Sequence, residues 1–250
     1  MDTSFILHIL LISIVSGLIH GYTGLGFGLV SMTALAFSTY NLERMSVGVS
    51  LIIIALVIFL ITLSYRRSGV FWKYVLLIGA GQVVGIPVGY RFLLELYAHP
   101  VLRISLGAVI LFAALTALFS LRLKKLKMWL APLFGLAGGL LAGAFAAGGP
   151  IVALYLYSQD DDPRNMKCTL QVSFVVATVL RLIVVGMGRV GYTREVFGYA
   201  AVAVVPSLAA LWAAHLLSGK IAPPLLKKSI FASIGFFGLL ILTRGILKLW

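Results

Sequence analysis

Acidic residues are scarce in this chain: seven Asp and Glu stand against twenty Lys and Arg. Asp2, Glu43, Glu95, Asp160, Asp161, Asp162 and Glu195 all fall at the ends of apolar runs, which excludes the buried carboxylate relay of proton-coupled pumps. Cysteine is scarcer still. The single Cys168 excludes an intramolecular disulfide and a Cys-based metal site. The patterns G-x-x-x-x-G-K-[ST], G-x-S-x-G and H-E-x-x-H are missing, and no polar stretch is long enough to house an ATPase domain, so neither nucleotide-driven work nor an enzyme is expected. Asp160-Asp161-Asp162-Pro163 reads as a helix start with Asp162 as N-cap, not as a metal-ligand run. No metal or cofactor is expected.

What is abundant is apolar. Of 250 residues 61% are hydrophobic and 11% charged, with a mean hydropathy of +1.09. A soluble domain carries roughly 25% charge, so a water-soluble fold is excluded and the lipid bilayer is the expected solvent. The net charge of +13 would point to nucleic acid in a soluble protein. Here the basic residues cluster between apolar runs, as in Tyr65-Arg66-Arg67 and Arg122-Leu123-Lys124-Lys125-Leu126-Lys127, where they meet lipid headgroups, and no nucleic-acid partner is expected. Met1 to Leu11 lacks the basic start of a cleavable signal and reads as a retained membrane segment.

Cutting at charged and Pro/Gly clusters leaves apolar stretches at 5–38, 46–65, 70–94, 101–121, 129–157, 166–187, 195–217 and 228–249. The expected fold is therefore an all-α polytopic membrane protein of about eight hydrophobic segments, multi-pass in the cell membrane. Six segments have the roughly 20-residue length of one crossing, whereas the first and fifth are longer and interrupted by glycines. Gly17, Gly21 and Gly26 align with Gly139, Gly143 and Gly148 at a constant offset, and Pro100-Val101-Leu102-Arg103 reads against Pro224-Leu225-Leu226-Lys227. The chain thus divides into two homologous four-segment repeats, 1–125 and 126–250. If the broken segments cross fully, the repeats are parallel; if they are re-entrant, the repeats are inverted. The distribution of Lys and Arg separates the two only weakly. A continuous helix over 5–38 would measure about 51 Å against a hydrocarbon core of about 30 Å, which favours a break.

The breaks carry the most information. Gly21-Tyr22-Thr23-Gly24-Leu25-Gly26-Phe27-Gly28 and Gly143-Ala144-Phe145-Ala146-Ala147-Gly148-Gly149-Pro150 each precede an apolar run, and Pro150 suits the first position of a new helix. A helix that begins inside the membrane presents unpaired N–H groups and a positive dipole end, which together attract an anion. The same glycines would equally serve close helix packing.

These paired motifs, with Gly89-Tyr90-Arg91 and Leu217-Ser218-Gly219-Lys220, resemble those of the sulfite exporter TauE/SafE family of anion permeases over essentially the whole chain. The first motif departs from the family's glycine triplet and nearby proline, and the second has Ala146-Ala147 ahead of Gly-Gly-Pro. The resemblance implies a transporter of small sulfur-containing anions of the sulfite, sulfonate, sulfoacetate or thiosulfate type, and analogy with other repeat transporters points to secondary or potential-driven alternating access. An anion channel and a polytopic membrane protein of non-transport function are the alternatives, and a homo-oligomer is left open.

Polar residues inside apolar runs complete the candidates. His20 adjoins the first motif and either titrates at the site or packs as a hydrogen-bonded core residue. Gln82, Gln171, Ser173, Thr178 and Arg181 face a cavity or a partner helix, with Gln171 and Thr178 on one helical face and Ser173 off it. Arg181 either snorkels to the interface or holds an anion with its guanidinium fork. The expected anion-binding set is Tyr22, Thr23, Gly24, Gly26, Gly28, Gly148, Gly149, Pro150, Gln171, Arg181, Gln82 and His20.

Overall fold

A computed structural model describes the chain except for residues 1–2, 37–40, 65–67, 97–98, 120–124, 160, 189–191, 218–222 and 248–250. The basic cluster Tyr65-Arg66-Arg67, the start of the Arg122 to Lys127 cluster and Ser218-Gly219-Lys220 lie outside the described residues. Among those described, the structure is all-helical: α1 (Thr3–Thr23), α2 (Phe27–Ala36), α3 (Leu42–Ser64), α4 (Trp72–Leu96), α5 (Pro100–Leu118), α6 (Ala131–Phe145, led by a 3-10 turn at Met128–Leu130), α7 (Gly149–Leu156), α8 (Pro163–Met187), α9 (Arg194–Leu217) and α10 (Pro223–Leu247). The eight apolar stretches become ten helices because the first and fifth each split in two. Six helices are long and apolar enough to cross a membrane, and the protein is a multi-pass membrane protein.

The helix starts follow from local chemistry. Pro100, Pro150 and Pro163 occupy first-turn positions, where a missing N–H costs nothing. Asp162 caps α8 as its spacing suggested, its Oδ2 accepting from the Asn165 N–H at 2.9 Å. Pro87 and Pro206 sit inside α4 and α9, where each removes one backbone hydrogen bond.

Both broken segments fold back on themselves. Ser31 Oγ on α2 donates to Ser16 Oγ on α1 at 3.0 Å. On the second hairpin, Val152 of α7 comes within 2.7 Å of where a Cβ on Gly138 of α6 would sit. The arms are unequal: α1 has 21 residues and α2 only 10, so the first arm measures about 31 Å and the return about 15 Å.

The packing fixes directions. Gly17 of α1 lies against Ser207 of α9 and Gly21 against Leu211, so these helices run the same way. Gly135 of α6 lies against Ile78 of α4 and Gly143 against Ile86, so that pair also runs the same way. In contrast, Arg181 near the end of α8 bonds to Ser46 near the start of α3, so α3 and α8 are opposed. Arg44 at the start of α3 bonds Glu195 at the start of α9, while Asn165 at the start of α8 accepts from Gly69 just ahead of α4. The first hairpin therefore enters the bundle from one end and the second from the other. The pairings exchange between halves: α4 on α6 answers α9 on α1, α3 on α9 answers α8 on α4, and α2 on α10 answers α7 on α5.

The α4–α6 seam is built of glycine. A Cβ on Gly81, Gly85 or Gly89 would come within 2.0 to 2.3 Å of a backbone oxygen of α6, and one on Gly135 or Gly143 within 2.1 to 2.2 Å of an oxygen of α4. Without a hydrophobic force between helices in lipid, such backbone approach is what holds them together. Outward positions such as Leu76, Val83, Val84 and Val88 are exposed and apolar, as a lipid-facing surface requires.

A cavity between two hairpin tips

At the first tip, the chain turns through two left-handed glycines, Gly24 (φ 71°) and Gly26 (φ 110°), conformations that a Cβ penalises. Thr23 Oγ1 braces this turn by donating to the Ile19 carbonyl at 2.7 Å and accepting the Leu25 N–H at 3.2 Å. Gln171 reaches across from α8 and donates from Nε2 to the Gly24 carbonyl at 2.5 Å.

The second tip turns at Ala146, which holds φ 51° and ψ 29°. Its N–H bonds the Ala142 carbonyl and the next N–H, of Ala147, bonds Leu141, a closure usually built on glycine. An alanine there carries a left-handed penalty, so Ala146→Gly should raise thermal stability by about 1 kcal/mol. A higher unfolding midpoint in detergent is the expected result, and an unchanged or lower one would contradict it.

The two tips touch. A Cβ on Gly28 would stand 2.0 Å from the Ala146 carbonyl oxygen. Beside this contact lies a cavity of about 60 Å³ lined by Gly26 to Leu29 and Ala146 to Pro150 of the tips, His20 of α1, Ser50 and Ile53 of α3, Gln82 of α4, and Phe174, Ala177, Thr178 and Arg181 of α8. Ile53, Gln82 and Phe174 lie near the middles of their long helices, which places the cavity deep in the bundle. The helices α2 and α7 both begin at its wall, so their first-turn N–H groups, which have no intrahelical acceptor, end there.

Arg181 is the one charged residue lining the cavity and is 1% exposed. It does not snorkel. Nε donates to the Gly143 carbonyl at 3.1 Å, Nη1 to the Ser46 carbonyl at 3.0 Å and to Ser50 Oγ, and Nη2 to Ser46 Oγ at 3.0 Å. Every one of these acceptors is neutral, and among the described residues no carboxylate lines the cavity. A guanidinium fork of five N–H donors, held by neutral groups in a low-dielectric interior, leaves a fixed and uncompensated positive charge.

Of the residues that the sequence singled out, the structure brings together His20, Gly26, Gly28, Gln82, Gly148, Gly149, Pro150 and Arg181 as cavity lining. Tyr22, Thr23, Gly24 and Gln171 do not line it. The Tyr22 hydroxyl instead donates to the Leu217 carbonyl at 3.2 Å, and the other three shape or hold the first tip. Thr178 lines the cavity and Ser173 bonds its own helix at Thr169, while Gln171, read on one helical face with Thr178, reaches the first tip instead. The sequence reading passed over Ser46 and Ser50, which anchor the guanidinium. Their signal was two hydroxyls four apart in an apolar run, hence on one helical face.

The profile of the sulfite exporter TauE/SafE family matches residues 9–241. A probable sulfite/organosulfonate exporter TauE of Cupriavidus necator is 28% identical over 170 residues, covering 64% of this chain and 63% of that protein. This chain is thus aligned with less than two thirds of its relative's length. No solved structure matches. With a match running from the first helix to the last, over a fold of two opposed hairpins and paired helices, the chain belongs to the sulfite exporter TauE/SafE family of membrane transporters.

Proposed function

We propose that the protein carries a small sulfur-containing oxyanion across the membrane, holding it in the cavity between the hairpin tips. The observation that supports this most is Arg181: a buried cation with only neutral partners faces a small cavity on which two helix N-termini converge. The size agrees. About 60 Å³ exceeds the roughly 10–15 Å³ that one water needs but falls far short of the roughly 300 Å³ where drug-sized pockets begin. Membership of the family and the named activity of the Cupriavidus necator relative point to sulfite or an organosulfonate as the cargo.

On this reading, residues 1–125 and 126–250 are inverted repeats and the cavity is their shared site. Transport then requires each end of the bundle to open in turn. The Arg44–Glu195 pair at 2.6 Å closes one end. The Gly69–Asn165 bond and the Tyr74 hydroxyl bond to Asp161 at 3.0 Å close the other. With the cytoplasm negative, an outgoing monoanion gains about 2.3 kcal/mol per 100 mV, so export needs no coupling ion.

The test is flux of labelled sulfite, thiosulfate, taurine and sulfoacetate in proteoliposomes at set potentials. Saturable movement of one of them that follows the potential supports the carrier, non-saturating flux favours a channel, and no movement at any potential defeats the proposal. A second expectation concerns the ends. Cysteines at Arg44 and Glu195, bridged by a bifunctional thiol reagent, should stop flux at least tenfold and reductant should restore it, because opening is needed at both ends. Undiminished flux in the bridged protein would rule out rocking at that end.

A further inference from the structure

The α4–α6 seam changes character at the end where both helices begin. From Gly81 onward the two meet backbone to backbone, a Cβ on Gly81 falling 2.0 Å from the Pro132 carbonyl oxygen. Ahead of that contact the facing residues are large and cannot approach so closely. An open groove of about 420 Å³ lies there, lined by Lys73, Leu76 and Leu77 of α4 and by Met128 and Trp129 of the 3-10 turn that leads α6. Trp72 and Trp129 are 61% and 65% exposed, and exposed tryptophans at helix starts mark the level of the lipid headgroups. Beyond them the exposed Leu76, Val83 and Leu133 face hydrocarbon. The groove therefore runs from headgroup level into the apolar core, basic at its top and apolar below.

We propose that this groove binds one anionic phospholipid, with its headgroup against Lys73 and Lys127 and an acyl chain along Leu76, Leu77 and Met128. The proposal is independent of the cargo and goes beyond the carrier function. Charge complementarity supports it. Lys73 lines the groove, Lys127 directly precedes Met128, and Lys124-Lys125 lead into that turn in sequence. The acids at this end are engaged elsewhere: Asp161 accepts the Tyr74 hydroxyl at 3.0 Å, and Asp162 caps α8. Among the described residues no carboxylate lines the groove, and neither Lys73 nor Lys127 is held in an ion pair. Ammonium groups at headgroup level attract a lipid of net negative charge, whereas a zwitterionic lipid brings a cation of its own. The Trp129 indole adds an N–H donor, which suits phosphate or ester oxygens. A lipid seated here would brace α6, whose far end carries the Gly143 carbonyl that holds Arg181.

The experiment offers the purified, delipidated full chain equal amounts of phosphatidylglycerol and phosphatidylcholine with the same acyl chains, and counts bound lipid by native mass spectrometry. Wild type should keep one phosphatidylglycerol with a preference of at least about tenfold. The double variant Lys73→Gln, Lys127→Gln should narrow the preference to under about threefold. The control Arg164→Gln, Lys167→Gln removes two charges from the start of α8 at the same end, outside the groove, and should leave the preference intact. All four side chains are exposed, so both variants should fold. Equal retention of the two lipids by wild type overturns the proposal. Equal loss of preference in both double variants overturns the groove in favour of general surface charge. Glycerol phosphate in excess carries the charge without a chain and should not displace the lipid, and displacement would make a free phosphate ester the occupant instead.

Discussion

Arg181→Gln should reduce sulfur-anion binding and flux by on the order of 100-fold, from a loss of roughly 2–3 kcal/mol for a charge-assisted contact. The side chain does two things at once. It supplies the cavity's one positive charge, and it ties α8 to Ser46 and Ser50 of α3 and to Gly143 of α6. Truncation therefore removes the attraction for the anion and also strips the two serine hydroxyls and two carbonyls of a donor. Arg181→Lys separates the contributions. It keeps the charge as a point but loses the planar fork, so it should retain more anion affinity than Gln while still lowering thermal stability. The measurement is anion titration alongside an unfolding curve for both variants. If Gln binds as tightly as wild type, the cation is structural and the anion lies elsewhere.

Gly28→Ala should cost on the order of 100-fold in flux while leaving the helix content unchanged, since misplacement of about 1 Å at a site can carry that penalty. A single Cβ at Gly28 would sit 2.0 Å from the Ala146 oxygen, a backbone atom with no side chain to swing away. The tips must then separate, and the cavity that they wall changes shape. Gly79→Ala is the matched control. It also adds a methyl to a buried glycine, but the nearest atom that it would meet is Val176 Cγ1 at 3.8 Å, an ordinary contact. Flux in wild type, Gly28→Ala and Gly79→Ala decides the matter, and equal loss in both alanine variants would reduce the tip contact to general packing.

Close packing, one of the two roles that the sequence left open for glycine, is met at the seam and at the tips alike, and the tip glycines also wall the cavity. Along the α4–α6 seam, Gly81, Gly85, Gly89, Gly135 and Gly143 permit backbone contact and stand outside the cavity between the tips. At the tips, Gly26, Gly28, Gly148 and Gly149 wall the cavity and start its helices. Spacing could not separate these groups, because a small residue has the same signature whether a carbonyl or an anion comes near it.

The sequence by itself determined the membrane class, the eight apolar stretches, the position of both breaks and the family, since these depend on local composition, length and motif. It also placed all seven carboxylates at segment ends, in keeping with a cavity that no carboxylate lines among the described residues. Only the tertiary structure decided that the broken segments double back, that Tyr22, Thr23, Gly24 and Gln171 stand away from the cavity, and that Ser46 and Ser50 belong to the site. The physical reason is direction and distance. Which way a helix returns depends on the seams that it finds, Ser16 with Ser31 and Gly28 with Ala146. Likewise, the guanidinium of Arg181 meets hydroxyls more than a hundred residues earlier in the chain because α3 and α8 pack in opposite senses.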